Sequence, residues 1–363
     1  MGLFLWFLYW SYVLSWLVNN LMALNHTPEG RGEAPPPQSK EQLMNSNLPD
    51  TVPGRLWTSR LYETEHDLQQ MQGLLMEARS RTNDWRYFHV GEMLFRFFIV
   101  TCHLNPKEFV RLWHEEQGRL VAYAILGEDP SFECQVLPEY EWSGIEAEAM
   151  AWAETRVAEL REHDAKQWGG HFVSGARQDD AKRIAFLEQH GFRYSGKFAE
   201  VNMLRSLDEP IPETTVPPGF QVRALAEAGD TSNRAAAHRE VWLPWTDGNV
   251  SDDDYVRFMR LPGYHRELDV VAVAPDGDIA AFMNGWIDPL NRIGDLGEVG
   301  ARPAYRRQGL TRAVLLEGLR RLKARGMDRA CVSTGVSNTP ALCLYESVGF
   351  RIVNKYLDYV KTE

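Results

Sequence analysis

The sequence predicts a mixed α/β fold made of two tandem copies of one unit, each a mostly antiparallel sheet flanked by helices. The prediction depends on three short segments that recur in the same order, at offsets of 165 (218 − 53), 165 (303 − 138) and 158 (344 − 186) residues. The pairs are Pro53-Gly54 with Pro218-Gly219, 136–140 with 301–305, and 186–192 with 344–350. A repeat of this length indicates duplication of a whole domain and not a solenoid of short repeats.

The composition is that of a globular protein. The chain has 363 residues, of which 44% are hydrophobic and 25% charged, and this length suggests two domains. A formal net charge of −11 argues against a nucleic-acid partner and mildly favours cationic amine substrates. The cysteines show neither metal-binding nor disulfide spacing, so we expect buried free thiols in a reducing cytoplasm. They are Cys102, Cys134, Cys331 and Cys343.

The N-terminal segment 1–28 is hydrophobic, and residues 3–18 carry no charge. The uncharged run is shorter than the roughly 20 residues of a membrane-spanning helix, and it lacks the basic start of a secretory signal. Three interpretations stay open: an anchor in a membrane or on a partner, a translation start at Met22 or Met44, and a docked helix. A Pro-rich linker follows over 29–50.

Prolines also mark the boundary between the two copies. Pro210, Pro212 and the pair at 217–218 exclude helix and central strand in this stretch. We therefore predict one domain over 51–210 and a second over 211–363.

Local patterns predict the elements inside each copy. In the second copy, two apolar runs flank a Pro-Asp-Gly-Asp turn, which predicts a hairpin. Apolar residues at helical spacing after Leu310 predict a helix that ends at Gly326. The predicted strands are 270–274, 279–283, 295–301 and 330–333 there, and 120–126 and 132–137 in the first copy, followed by a helix that starts at 145.

The junction at 306–311 carries the chemistry. A strand ends there in a turn that leads directly into a helix, so unpaired backbone N–H groups lie at the positive end of the helix dipole. Phosphate binds readily at such a place. Gly309 allows close approach of the backbone, and Arg306 and Arg307 add positive charge.

This junction resembles the [Arg/Gln]-x-x-Gly-x-[Gly/Ala] loop of the GNAT superfamily of N-acetyltransferases, with Thr311 in place of Gly or Ala. The segment 338–350 is similar to that superfamily's Asn-x-x-Ala-x-x-Leu-Tyr-x-x-x-Gly-Phe pattern. The resemblance implies acetyl-CoA as co-substrate, no metal, and acetyl transfer to a primary amine of a small molecule or peptide. The alternatives are a non-catalytic acyl-CoA-binding regulatory module and an enzyme that transfers a longer acyl group.

Carried over by position, the resemblance implies roles for single residues. Asn338 would contact the pantetheine arm, and Tyr345 would protonate the departing thiolate as general acid. Backbone contacts to the co-substrate would come from Val299, Gly300 and Ala301, and pyrophosphate contacts from Arg306, Arg307, Gln308, Gly309, Leu310, Thr311 and Arg312.

The general base stays open between two carboxylates on the strand before the loop. Glu298 flanks the co-substrate-binding stretch and is our first choice, whereas Asp295 stands eleven residues before Arg306 (306 − 295), a spacing that resembles the base of several family members. Because their spacing of three residues is odd, a regular strand would point them to opposite faces. Only a β-bulge would bring both into one cleft.

The first copy lacks the reacting groups. Glu141 replaces the arginine, Glu146 stands where Gly or Ala is expected, and Leu187 takes the place of Tyr345. Carboxylates would repel a pyrophosphate, and leucine has no proton to donate. We therefore predict that 51–210 is degenerate and that 211–363 is catalytic. Mycothiol synthase is similar in this tandem plan, which is a likeness of architecture only.

Two further segments are candidates for the acceptor side of the cleft. The aromatic and acidic residues at 242–247 and 252–255 fall where the resemblance places the acceptor, and they would suit a cationic amine. The competing interpretation is packed tryptophans and a helix cap formed by Ser251 with Asp254.

Overall fold

The computed structural model describes residues 57–82, 85–127, 130–225, 230–246 and 250–362. The hydrophobic segment 1–28 and the linker 29–50 lie outside these ranges. Strands of the first copy are β1 (Trp57–Leu61), β2 (Val110–Glu115), β3 (Leu120–Leu126), β4 (Ser131–Val136), β5 (Phe172–Arg177) and β6 (Arg193–Ser206). Its helices are α1 (Glu65–Thr82), α2 (Val90–His103), α3 (Pro106–Phe109), α4 (Ile145–His163), α5 (Ala165–Trp168) and α6 (Ala181–Gln189).

The second copy repeats the plan. Its strands are β7 (Gln221–Ala224), β8 (Asp269–Val273), β9 (Ile279–Asp288), β10 (Ile293–Ala301), β11 (Arg329–Gly335) and β12 (Arg351–Lys361). Its helices are α7 (Asp230–Thr246), α8 (Asp252–Phe258), α9 (Leu310–Ala324) and α10 (Thr339–Ser347), with 3₁₀ turns at Arg266–Leu268 and Pro303–Tyr305. The predicted hairpin is β8–β9, and Gly326 follows α9 with a φ of 83°. The predicted mixed α/β fold is confirmed.

All these strands join one twelve-stranded sheet, in the order β1-β2-β3-β4-β5-β12-β6-β11-β10-β9-β8-β7. The last strand of each copy is exchanged. β12 pairs with β5 of the first copy, β6 pairs with β11 of the second, and the two exchanged strands pair with each other. Each copy therefore completes its part of the sheet with a strand from the other.

One parallel pair of strands separates in each copy. β4 and β5 pair only at Ser131–Phe132, and β10 and β11 pair only over Ile293–Asp295, although all four strands continue further. Beyond these positions the facing strand edges are unpaired with each other, so each copy has a V-shaped opening in its sheet. Unpaired backbone groups at such an edge are free to bind a ligand.

Helices cover both faces of the second copy. The predicted apolar stripe of α9 is buried against one face; its members are Leu310, Val314, Leu315, Leu319 and Leu322. On the opposite face, α2 of the first copy approaches so closely that a β-carbon at Gly91 would clash with the ring of Trp286 on β9. Phe95 and Phe98 on α2 contact the ring of Phe258. One hydrophobic core therefore includes residues from both copies.

The thiols depart from expectation at one position. Cys331 is buried and Cys134 is half-buried, but Cys343 is exposed, so the expectation of a buried thiol is wrong there. Two residues along a helix correspond to a rotation of about 200°, and Tyr345 is the residue of α10 that enters the core. The side chain of Cys102 lies outside the description. In the described ranges no helix is long and apolar enough to cross a membrane.

The strand exchange predicts that a core substitution on β12 weakens the first copy. Tyr359 is 4% exposed and belongs to the core of the first copy. We expect Tyr359→Ala to lower the free energy of unfolding by about 3 kcal/mol. Hydrogen exchange should show faster exchange of the amides of β5, the neighbour of β12. Val353→Ala, on the same strand but 43% exposed, is the control and should have little effect. Protection of β5 that is unchanged in Tyr359→Ala would contradict the exchange.

Candidate active site

The junction at 306–311 is the N-terminus of α9. Gly309 has a left-handed conformation with a φ of 80° and begins the helix without a side-chain cap, and Arg307 also has a positive φ, of 63°. The N–H groups of 308–312 donate to no oxygen within the described part of the chain. The side chains of Arg306 and Arg307 are exposed. The turn therefore presents a row of free donors beside two guanidinium groups, which is an arrangement that binds phosphate.

The V-shaped opening of the second copy adjoins this turn. Val299, Gly300 and Ala301 pair with β9 on one side, while their other edge faces the opening toward β11. The predicted backbone contacts and the predicted phosphate loop thus border one continuous cleft. An extended ligand with an anionic end could lie along it.

A β-bulge in β10 decides where the two candidate bases point. The register against β9 shifts by one residue within 296–299. Asp295 stands opposite Trp286, and the N–H of Glu298 donates to the side chain of Asn284, two residues along β9. The extra residue therefore turns both carboxylates to the same face of the sheet. This is the β-bulge that both side chains need in order to reach one cleft.

Glu298 lies in a buried network of ion pairs. Its Oε1 is 2.9 Å from Nδ1 of His238, and its Oε2 is 3.4 Å from Nη2 of Arg234. Arg234 also pairs with Asp269 at 3.1 Å. Burial alone would raise the pKa of Glu298, but His238 and Arg234 hold that pKa below its usual value. A carboxylate compensated in this way is a weak proton acceptor.

Asp295 is also buried but is not paired with a cation. Its Oδ1 accepts a weak hydrogen bond of 3.5 Å from the thiol of Cys331. Burial, followed by the charge of Glu92, raises the pKa of Asp295 to about 7. That value suits a general base at physiological pH better than the lowered pKa of Glu298.

His89 is the nearest basic side chain to Asp295, with 3.9 Å between Nδ1 and Oδ2. Its Nε2 donates to the carbonyl of Ile293, and its Nδ1 accepts from the N–H of Gly91. Burial lowers the pKa of His89 to about 3. The ring is therefore neutral and presents an acceptor nitrogen, so it does not compensate the charge of Asp295.

The two remaining predicted residues lie on α10. Tyr345 is buried with its ring 6.0 Å from that of Phe350, and burial, with the charge of Asp295, raises the pKa of its hydroxyl. The hydroxyl is thus protonated and available as a donor. Asn338 caps the helix by accepting a 3.3 Å hydrogen bond from the N–H of Ala341, so its side-chain oxygen has a structural role.

The first copy has the same turn with its anion site filled from within. Gly144 and Trp142 repeat the positive φ angles of Gly309 and Arg307, at 118° and 62°. However, the carboxylate of Glu146 reaches back and accepts a 2.7 Å hydrogen bond from the N–H of Trp142. Glu141 bonds to the hydroxyl of Tyr87. A carboxylate of the chain itself thus takes the place that a phosphate would need.

The acceptor segments have mainly structural roles. Ser251 and Asp254 form a reciprocal capping box at the start of α8, which confirms the competing interpretation for that pair. The buried hydroxyl of Tyr255 donates to Asp269 at 3.1 Å. Asp252 pairs with Arg239 at 2.6 Å. The side chains of residues 244–249 lie outside the description.

Sequence reasoning missed the residues that the first copy brings to Asp295. Arg79, His89 and Glu92, from α1 and the start of α2, line a cavity at Asp295 together with Glu200 from β6. Sequence motifs describe each copy separately, so they do not predict a site that lies between the copies. The available signal was Glu200, a carboxylate within the mainly apolar run 198–204.

Comparison with known proteins agrees with this geometry. Residues 235–350 match the family model of the acetyltransferase (GNAT) family. A mycothiol acetyltransferase of Acidothermus cellulolyticus is 26% identical over 268 residues, covering 66% of this chain and 76% of that protein.

Two solved structures are similar in fold. A GCN5-related N-acetyltransferase from Sphaerobacter thermophilus has a TM-score of 0.58 at 21% identity, over 86% of this chain and 96% of that one. A tandem GNAT protein from the clavulanic acid biosynthesis pathway has a TM-score of 0.56 at 15% identity, over 84% and 98%. At these identities the two structures show the fold alone.

The ion-pair network predicts a structural role for Glu298. Glu298→Gln removes one charge from a buried set and should lower the free energy of unfolding by about 3 kcal/mol at pH 7. Because the folded-state pKa is lowered, the contribution is present above the unfolded pKa and is lost as pH falls through the folded pKa. Denaturant titrations should therefore show that the difference in the free energy of unfolding between wild type and variant becomes smaller below about pH 4. Unchanged stability with abolished turnover would instead make Glu298 the base.

Proposed function

We propose that this chain is an acyltransferase of the GNAT family, whose model residues 235–350 match, and that its second copy transfers acetyl from acetyl-CoA to a primary amine. The observation that supports the proposal is the cleft of the second copy, which extends from the free N–H donors at 308–312 along β10 to Asp295, where β10 and β11 separate. Asp295 is the proposed base, and Tyr345 is the proposed acid. The acceptor is a small molecule or a peptide.

The residues present fit acetyl-CoA. The free N–H groups and Arg306 and Arg307 suit a pyrophosphate, and the edge of 299–300, which does not pair with β11, suits the amides of a pantetheine arm. When bound, the thioester supplies an electrophilic carbonyl carbon. In the first copy, Glu146 and Glu141 exclude the same ligand by charge and by occupying the turn.

The proposed chemistry is direct transfer in a ternary complex. The Asp295 carboxylate accepts a proton from the incoming ammonium and leaves a neutral amine. The amine nitrogen bonds to the acetyl carbon while the bond from that carbon to sulfur breaks. The hydroxyl of Tyr345 donates a proton to the departing sulfur, and the tyrosinate then accepts, through water, the second proton that the nitrogen releases as the amide forms. Burial favours this order, because it keeps Tyr345 protonated until sulfur accepts the proton.

Calorimetry should find one acetyl-CoA bound per chain. Arg306→Ala combined with Arg307→Ala should weaken binding at least about tenfold, with the loss reduced at high salt, because two exposed cations beside the phosphates are removed. The matched control is Arg193→Ala in the first copy, an exposed arginine remote from either turn. Two bound molecules would contradict the filled anion site of the first copy, and no binding would end the proposal.

Turnover should depend on Asp295 through a pKa near 7. Activity should fall as pH drops below about 7, because the protonated carboxyl cannot accept a proton. The groups that face the Asp295 carboxyl and set its pKa are His89, Glu92, Arg79 and Cys331. Asp295→Asn should lower kcat by roughly 10²-fold or more while acetyl-CoA affinity stays constant.

The control for that experiment is Glu298→Gln assayed at a temperature where it is folded. Its plot of activity against pH should keep the inflection near pH 7, which Asp295→Asn should lose. If Asp295→Asn retains both rate and pH profile, Asp295 is not the base. Binding of acetyl-CoA without CoA release on any amine would favour a regulatory module instead.

A further inference from the structure

The V-shaped opening of the first copy contains a cavity of about 60 Å³. It begins where β4 and β5 separate, beyond Phe132 and Ser174. Its walls come from 133–136 on β4, from Gly175 on β5 and from the turn before α4. Because one water needs about 10–15 Å³ of such space, the cavity holds roughly four to six water-sized groups. A small organic group therefore fits, although the turn itself is closed to phosphate.

Arg183 on α6 fixes the edges of this opening. Its Nε donates to the carbonyl of Gly175 at 3.3 Å, and its Nη2 donates to the hydroxyl of Ser174 at 3.0 Å. That hydroxyl donates to the carbonyl of Phe132 at 2.8 Å. The guanidinium also lies over the rings of Phe132 and Phe186, at 5.8 and 5.9 Å from their centroids. The shape of the opening is thus set by contacts within the chain.

Two buried atoms in the wall of the cavity have no hydrogen-bond partner among the described residues. Glu146 is 6% exposed; its Oε1 accepts from the backbone N–H of Trp142 at 2.7 Å, but its Oε2 accepts from no donor. The indole Nε1–H of Trp142 is buried and donates to no acceptor. The indole ring is held edge-on against Phe186, with 5.7 Å between the centroids. Each unpaired group costs free energy, which a ligand with complementary atoms would recover.

The two atoms have opposite polarity, and this selects the ligand. A cation would pair with Glu146 but would leave the indole N–H without an acceptor. An anion would accept from that N–H but would be repelled by Glu146 and by Glu141, which also lines the cavity. A carboxamide or a urea carries an N–H donor and a carbonyl acceptor on one small planar group. Such a group matches the polarity and the volume, and the rings of Tyr87 and Tyr356 suit its flat faces.

We propose that the first copy binds a small uncharged ligand through a carboxamide or urea group, whose N–H donates to Oε2 of Glu146 and whose oxygen accepts from Nε1 of Trp142. The site is the first copy's counterpart of the proposed acetyl-CoA cleft, with Glu146 in place of the phosphate. It does not depend on acetyl transfer, because neither Asp295 nor Tyr345 takes part. The copy without reacting groups thus has a binding activity of its own.

The test uses the full chain with ¹⁵N-labelled tryptophan side chains and follows the indole N–H resonances by NMR. The resonance of Trp142 is the one that is missing from Trp142→Phe. Titration with acetamide should shift this resonance along a saturable curve, with a Kd on the order of 1 mM for a ligand of this size. Acetate and acetamidinium have the same shape but offer only acceptors or only donors, so they should not shift it at the same concentrations.

Glu146→Gln removes the acceptor and keeps the shape of the side chain. The glutamine oxygen can still accept from the backbone N–H of Trp142, so its NH₂ group takes the place of Oε2. Acetamide should then bind at least about tenfold more weakly, because the N–H of the ligand meets an N–H of the protein. Glu162→Gln, which changes an exposed carboxylate farther along α4, is the control and should leave the Kd unchanged.

Three results would overturn the proposal: no shift of the Trp142 resonance with acetamide, an equal response to acetate or acetamidinium, and an unchanged Kd in Glu146→Gln. The first would mean that the cavity holds water only. The three probes are compared on wild type, so they decide even if Glu146→Gln does not fold. Because the titrations contain no acetyl-CoA, their results are separate from those that test the proposed function.

Discussion

The exchange of β6 and β12 is the constraint on which the rest of the molecule depends. Each occupies the place beside the fifth strand of the other copy, so the twelve strands form one sheet and the copies cannot move as independent domains without breaking ladder hydrogen bonds. The same arrangement lays α2 of the first copy on the second copy's sheet, where Gly91 meets Trp286. The first copy thereby supplies one wall of the cavity at Asp295.

Within that frame, two local irregularities in β10 create the site. The strand leaves β11 after Asp295, which opens the cleft, and it bulges over 296–299, which turns Asp295 and Glu298 to one face. Neighbours then separate their roles. Glu298 meets His238 and Arg234 and becomes part of the framework, whereas Asp295 meets a neutral His89 and other carboxylates and keeps its affinity for protons.

Much of the fold and of the co-substrate cleft could be predicted, because both follow from local rules. The repeat, the hairpin β8–β9, the stripe of α9 and the turn at Gly309 each depend on residues close in sequence. The choice between Asp295 and Glu298 could not be predicted, because it depends on His238, Arg234 and Glu92, which lie 60, 64 and 203 residues away (298 − 238, 298 − 234 and 295 − 92). The strand exchange could not be predicted either, because the residue pattern of β6 and of β12 is compatible with pairing in either copy.

The divergence of the two copies follows from where each carries its negative charge. In the first copy, Glu146 accepts a hydrogen bond from a backbone N–H of its own turn, so a carboxylate of the chain stands where a phosphate would bind. At the shared face, burial raises the pKa of Asp295 to about 7 and the pKa of Glu200 to about 8, so the negative charge there is reduced by bound protons. The first copy therefore closes the turn that the second copy leaves open, while its residues line the cavity at Asp295.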